Sequence, residues 1–400
     1  MSTTSSWRLV AQAGAALAAG MGVGRFVYTP ILPLMHSQAG LSAGAGANLA
    51  TANYAGYLVG ALAGILFPAL IRSRTVLRVS LLVLTATLAG LPLTHSVVVW
   101  GGLRLLAGVT SALVFVVAAG SLLHHLRGHP AHLSGWAFGG VGAGIALSGL
   151  LVLALRSVAD WRAAWWSAAA LTAVLACGAW RLRPEDAPAV QAAPSTPGPG
   201  THRWFAALFV SYTLEGVGYI VAGTFLVAAV GQGSPGPLGS GVWVLVGLAA
   251  VPSSALWARL GHRFSRPGLL LIALVIQAAG IALPALNGTT AAALVSAVLF
   301  GATFLGVSTL ALATGAHLRF PRSVALLTTG YSVGQILGPL AVAPLLRHGY
   351  QQALLLAALV VLAAAAAAAV LRIGFPHHMV VVRHTEPRRQ RESAQDARPA

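Results

Sequence analysis

The chain has 400 residues, of which 57% are hydrophobic and 8% charged, with a formal net charge of +17. Soluble domains carry roughly 25% charged residues, and a nucleic-acid-binding module would cluster its basic residues on one wet face, so both classes are excluded. A mean hydropathy of +0.81 and long Ala-, Leu- and Gly-rich runs describe an integral membrane protein whose spans, needing every backbone polar group satisfied internally, are helices.

The first apolar run follows Arg8 and continues from Leu9 past Arg25 to Met35. That is longer than the apolar core of a signal peptide, so it reads as the first membrane helix. A window of about 19 residues then gives twelve segments: 9–35, 47–71, 76–94, 98–123, 135–156, 162–181, 204–230, 240–259, 268–287, 291–316, 324–346 and 352–373. The long connection between segments 6 and 7 contains Pro194-Ser195-Thr196-Pro197-Gly198-Pro199-Gly200, a Pro/Gly/Ser stretch that reads as a linker. The predicted organisation is an all-α membrane protein with twelve transmembrane helices in two pseudo-symmetric six-helix halves. Residues 1–181 form the first half, 182–203 a cytoplasmic linker, 204–373 the second half and 374–400 a cytoplasmic tail.

All 24 basic residues are arginine. With both termini placed in the cytoplasm, nineteen fall in inner segments and three (Arg156, Arg162 and Arg347) in outer ones, a strong positive-inside asymmetry. The halves echo one another: Gly22-Val23-Gly24 recurs as Gly216-Val217-Gly218, and Gly135-Trp136 as Gly330-Tyr331, at offsets near half the chain length. An internal duplication is the plan of a transporter that rocks two halves around a central site.

Glu215 is the one carboxylate deep inside an apolar segment; the six other acidic residues lie at segment ends or in tails. An ionisable group at bilayer depth costs about 2.5–3.5 kcal/mol or more, so one that is retained marks a wet cavity and a function. Tyr212, Glu215 and Tyr219 stand at i, i+3 and i+7 and share one helical face. A carboxyl in a low-dielectric cavity suits proton uptake and release. Arg25 and Tyr28 share a face of segment 1 by the same spacing. Segments 1 and 7 both line the cavity of such a transporter, so Arg25 and Glu215 are expected to oppose each other as a switchable pair. A static buried ion pair that fixes packing is the structural alternative.

Arg104 either faces the cavity or snorkels to the outer headgroups. Asn53 and Tyr57 share a face of segment 2, and Gln335 lies in segment 11; such groups contact solute or bond between helices. Glycines recur at Gly56, Gly60 and Gly64, at Gly330, Gly334 and Gly338, and at Gly135, Gly139, Gly140 and Gly144, spacings that let helices approach closely. Pro30 and Pro33 are expected to bend the end of segment 1. His124, His125, His129 and His132 lie between segments 4 and 5 without an accompanying carboxylate or thiol, and read as a polar loop and not a metal site. Cys177 is single, so no internal disulfide forms. No phosphate-binding loop, zinc motif or paired carboxylate is present, and no histidine lies at the depth of Ser148 to activate it, so neither an enzyme nor a cofactor is expected.

Gly22-Val23-Gly24-Arg25-Phe26-Val27-Tyr28-Thr29-Pro30-Ile31-Leu32-Pro33-Leu34-Met35, followed by Ala52-Asn53-Tyr54-Ala55-Gly56-Tyr57-Leu58-Val59-Gly60, resembles the YbfB/YjiJ group of the major facilitator superfamily. Arg104-Leu105-Leu106-Ala107-Gly108 resembles the superfamily's helix 4 motif, in which the arginine is linked to proton transfer. Arg259-Leu260-Gly261-His262-Arg263 resembles part of its loop motif, with Ala258 where an aspartate is usual. The resemblance implies a proton-coupled secondary transporter of the bacterial inner membrane, carrying a small organic solute as a monomer. Arg25 favours an anionic or zwitterionic solute. Efflux of small hydrophobic or sugar-like compounds is the alternative cargo reading, and a non-transporting membrane sensor or scaffold the alternative class.

Overall fold

A computed structural model describes residues 3–126, 131–155, 157–184, 201–233 and 238–375. Most of the expected linker, the tail from 376 onward and His129 lie outside the described residues. All twelve apolar segments are helices. Helix 1 is composite: α-helix Thr3–Leu17, π-helix Ala18–Val23, a turn at 24–27, then α-helix Tyr28–Ala39. Helix 2 is Ala43–Leu66, helix 3 Arg74–Gly90, helix 4 Val97–His125, helix 5 Ala131–Leu155 and helix 6 Trp161–Ala179. Helix 7 is Thr201–Gly233, helix 8 Leu238–Leu260, helix 9 Arg266–Leu286, helix 10 Thr290–His317, helix 11 Ser323–Val342 and helix 12 Tyr350–Arg372. Eleven of these are long and apolar enough to cross a membrane. Helix 6 falls short because Trp161, Trp165, Trp166 and Arg162 lower its hydropathy, and it packs against helices 1, 3 and 5 as part of the same bundle.

Short polar connections start the helices locally. Ser42, Ser73, Ser96, Asp160 and Thr289 each accept a hydrogen bond from the backbone N–H three residues on, satisfying one of the donors a helix start leaves open. Gly40, at φ +66°, closes helix 1 in the left-handed conformation and returns its N–H to Met35 O.

Glycines set how closely the helices approach. A Cβ on Gly56 would lie 1.9 Å from Leu105 O, and one on Gly108 2.0 Å from Asn53 O, so helices 2 and 4 touch backbone to backbone. Gly334 meets Thr213 O, and Gly216 meets Tyr331 O, which does the same for helices 7 and 11. Helix 5 divides its glycines: Gly140 and Gly144 pack on helix 1, while Gly135, Gly139 and Gly142 pack on helix 8. Among the described residues the contact between helices 5 and 8 is the most extensive, and it crosses from the first six helices to the last six. Helices 2 and 11, and helices 1 and 7, also pack across this divide.

Candidate functional site

The site is built where helix 1 breaks. Phe26 N–H reaches back to Met21 O in π register, and Thr29 N–H bonds Phe26 O because Pro30 has no N–H to offer it. The carbonyls of Gly24 and Arg25 are thereby released from the helix ladder. Arg104 takes both: Nη1 donates to Gly24 O at 3.5 Å and Nη2 to Arg25 O at 3.4 Å. Its guanidinium also lies 4.6 Å over the Tyr28 ring. A cation at the negative end of a helical segment is favourable, and Arg104 is only 1% exposed. It neither snorkels nor faces a cavity; it holds the broken helix. The break spans residues 18–27, and Pro30 contributes to it by leaving Phe26 O without its usual donor.

The break also separates Arg25 from Tyr28, which an unbroken helix would have stacked on one face. Tyr28 Oη donates to Gly46 O at 2.8 Å and its ring packs on Trp165, inside the first six helices. Arg25 points the other way. Its Nη2 donates to Gln335 Oε1 at 2.6 Å, and its guanidinium carbon lies 4.3 Å from the Tyr57 ring centroid, 4.8 Å from Tyr54 and 5.4 Å from Phe26. Desolvated cation–π contacts of this kind contribute about 2 kcal/mol and offset the burial of a group that is 2% exposed. Arg25 Nε has no hydrogen-bond partner.

Gln335 passes the contact on: Nε2 donates to Tyr219 Oη at 2.7 Å. Tyr219 belongs to an aromatic ladder, stacked on Tyr331 at 5.4 Å and on Phe304 at 5.9 Å, while Tyr331 stacks on Tyr212 at 4.4 Å. Nearby, Thr29 Oγ1 donates to Gly223 O and Tyr54 Oη bonds Thr224 Oγ1 at 2.8 Å. Helices 1, 2, 7 and 11 are thus knotted through Arg25, Tyr54, Tyr57, Tyr219 and Gln335. Asn53 stands apart, donating to Arg104 O at 2.8 Å as a bond between helices 2 and 4.

Glu215 is fully buried. Arg25 and Glu215 form no ion pair. Oε1 of Glu215 accepts from Gln277 Nε2 at 3.3 Å, and Oε2 has no partner. Nor does the acid line an aqueous chamber in this conformation. An open cavity of about 680 Å³ lies at the end of the bundle opposite Thr3 and Phe375 and is walled by Pro33, His36, Gln232, Ser240 and Tyr350 among others. Below it the knot at Arg25 closes helix 1 on helices 7 and 11. Gln277 escaped the sequence reading, although it is a mid-segment amide like Gln335; Tyr54 and Tyr331 were visible only as members of motifs.

A family model described as "Uncharacterised MFS-type transporter YbfB" matches residues 17–370. Comparison with curated proteins gives no match. Among solved structures, the crystal structure of the nucleoside transporter NupG aligns with 91% of this chain and 99% of its own, at a TM-score of 0.71 and 14% identity. At that identity the likeness carries the fold alone. The match over residues 17–370 places the chain in the YbfB family of MFS-type transporters, and it belongs to that family.

Proposed function

We propose that this protein is a secondary active transporter of the bacterial inner membrane, moving a small organic acid or zwitterion by alternating access and driven by protons. Both termini face the cytoplasm in this reading, as the arginine asymmetry favours. The observation that carries the proposal is Arg25, a buried guanidinium on the seam between the two halves with an unused Nε–H donor and three aromatic walls. A guanidinium offers a planar fork that matches a carboxylate, and the rings hold the apolar body of a small solute. Glu215 supplies the proton site, being the one acid at membrane depth and standing one helical turn from Tyr219.

A thermal-shift screen of metabolites on the purified protein, run at two pH values, tests this. A solute at a hundred times its Kd stabilises by about 2.7 kcal/mol. Small organic acids are expected to raise the melting temperature, and Arg25→Gln to abolish the shift. Equal stabilisation by neutral analogues, unaffected by Arg25→Gln, would contradict the assignment.

A further inference from the structure

Glu215 and Gln277 share one hydrogen bond across helices 7 and 9, and each leaves one oxygen stranded. Gln277 Nε2 donates to Glu215 Oε1 at 3.3 Å, while Glu215 Oε2 and Gln277 Oε1 are both buried without partners. Stranding a buried acceptor is unfavourable, and more so when it carries charge. An ionised carboxylate cannot repair this, because it has no donor for the glutamine oxygen. Flipping the amide changes only which atom faces which, and still supplies no such donor.

One change satisfies both. A neutral carboxylic acid presents one O–H donor and one carbonyl acceptor, and a primary amide presents one N–H donor and one carbonyl acceptor. Facing each other they close a ring of two hydrogen bonds, from Oε2–H to Gln277 Oε1 and from Gln277 Nε2–H to Glu215 Oε1. We infer that Glu215 carries its proton in this conformation and that Gln277 holds it there as a positioning residue. This rests on the reading of Glu215 as the proton site and adds to it the loaded state and the group that locks it. A solvent proton binds the carboxylate on loading and returns to solvent on release.

The surroundings agree. Tyr212 and Tyr219 on helix 7 and Tyr331 on helix 11 lie within electrostatic reach of Glu215. Among the described residues no cationic side chain ion-pairs with it, and its one side-chain hydrogen bond comes from Gln277. Arg25, on helix 1, is engaged with Gln335 instead. With no cation paired to it here, release of the proton is assigned to another arrangement of the halves.

Infrared spectroscopy of the full chain in lipid nanodiscs at neutral pH tests the inference. The wild-type minus Glu215→Gln difference is expected to contain a carboxylic acid C=O band. In Gln277→Leu that band is expected to shift to higher frequency, because the carbonyl loses its N–H donor. Glu215→Gln keeps the ring as an amide–amide pair and therefore keeps the fold, so the first comparison stands even where Gln277→Leu expresses poorly. A difference spectrum holding only carboxylate bands, or an acid band that Gln277→Leu leaves in place, would overturn the inference. The measurement uses neither solute nor gradient. An acid band in a transporter indifferent to protons would retain the pair and remove the coupling, and its absence in a proton-driven transporter would do the reverse.

Discussion

Arg25 and Tyr219, on helices 1 and 7, are joined through a single amide. Gln335 accepts from Arg25 Nη2 at 2.6 Å and donates to Tyr219 Oη at 2.7 Å. Tyr219 stands one turn from Glu215 on the same helix, so the buried cation and the buried acid are connected through Gln335 and the tyrosine ladder and not by contact. Replacing Gln335 with Leu removes both bonds at similar volume. A hydrogen bond to a charged group contributes about 1.5–3 kcal/mol, so solute affinity is expected to change by roughly 10- to 100-fold. Gln335→Glu is expected to stabilise the empty protein by giving Arg25 a carboxylate, and to weaken binding of an acidic solute that competes for it. Binding isotherms and melting temperatures of the three proteins check this.

Arg104 secures the break in helix 1 through the carbonyls of Gly24 and Arg25. Arg104→Leu strands both and is expected to cost about 1–3 kcal/mol, read as a lower melting temperature in detergent. Arg104→Lys is expected to recover little of it, since an ammonium cannot fork to two carbonyls while lying flat on Tyr28. Full recovery by lysine would show that charge alone suffices.

At the mouth of the open cavity, His36 on helix 1 meets Tyr350 on helix 12. His36 Nδ1 is bonded to Leu41 O, which leaves Nε2 to accept from Tyr350 Oη at 2.8 Å. This bond ties the first half to the second across the cavity. Tyr350→Phe removes a contribution of about 1 kcal/mol and is expected to raise the open fraction about fivefold. The alkylation rate of Ser240→Cys, on the cavity wall, reports this in a Cys177→Ser background. An unchanged rate would show that the bond does not restrain the mouth.

Two glycines separate packing within a half from packing between halves. Gly56→Ala would press a Cβ onto Leu105 O, and Gly247→Ala would press one onto Ala146 N at 2.2 Å. Overpacking of this kind typically costs about 1–3 kcal/mol. Gly56→Ala strains every conformation and is expected to lower the melting temperature. Gly247→Ala strains only arrangements in which helices 5 and 8 meet closely, so transport is expected to fall with a smaller loss of stability. Paired melting curves and transport assays distinguish the two.

The helices were legible because lipid forces long apolar runs into a single backbone form, and even helix 6, diluted by tryptophan, kept its length. Arg25 and Glu215 stood out for the same reason, as charges where charge is unfavourable. Their partners did not. The side-chain spacing of Arg25 and Tyr28 assumed a regular helix, and the π segment at 18–23 with its turn turned them apart. Gln277 has no charge to mark it, and its role depends on a neighbour 62 positions away. The motif around Arg104 was visible, but its task depends on carbonyls that only the broken helix exposes.

The most direct test of the whole account is solute accumulation in proteoliposomes under an imposed proton gradient, using an acid identified by thermal shift. The wild type is expected to concentrate the solute against its gradient, while Glu215→Gln exchanges it across the membrane without concentrating it. Concentration by Glu215→Gln equal to that of the wild type would contradict the account.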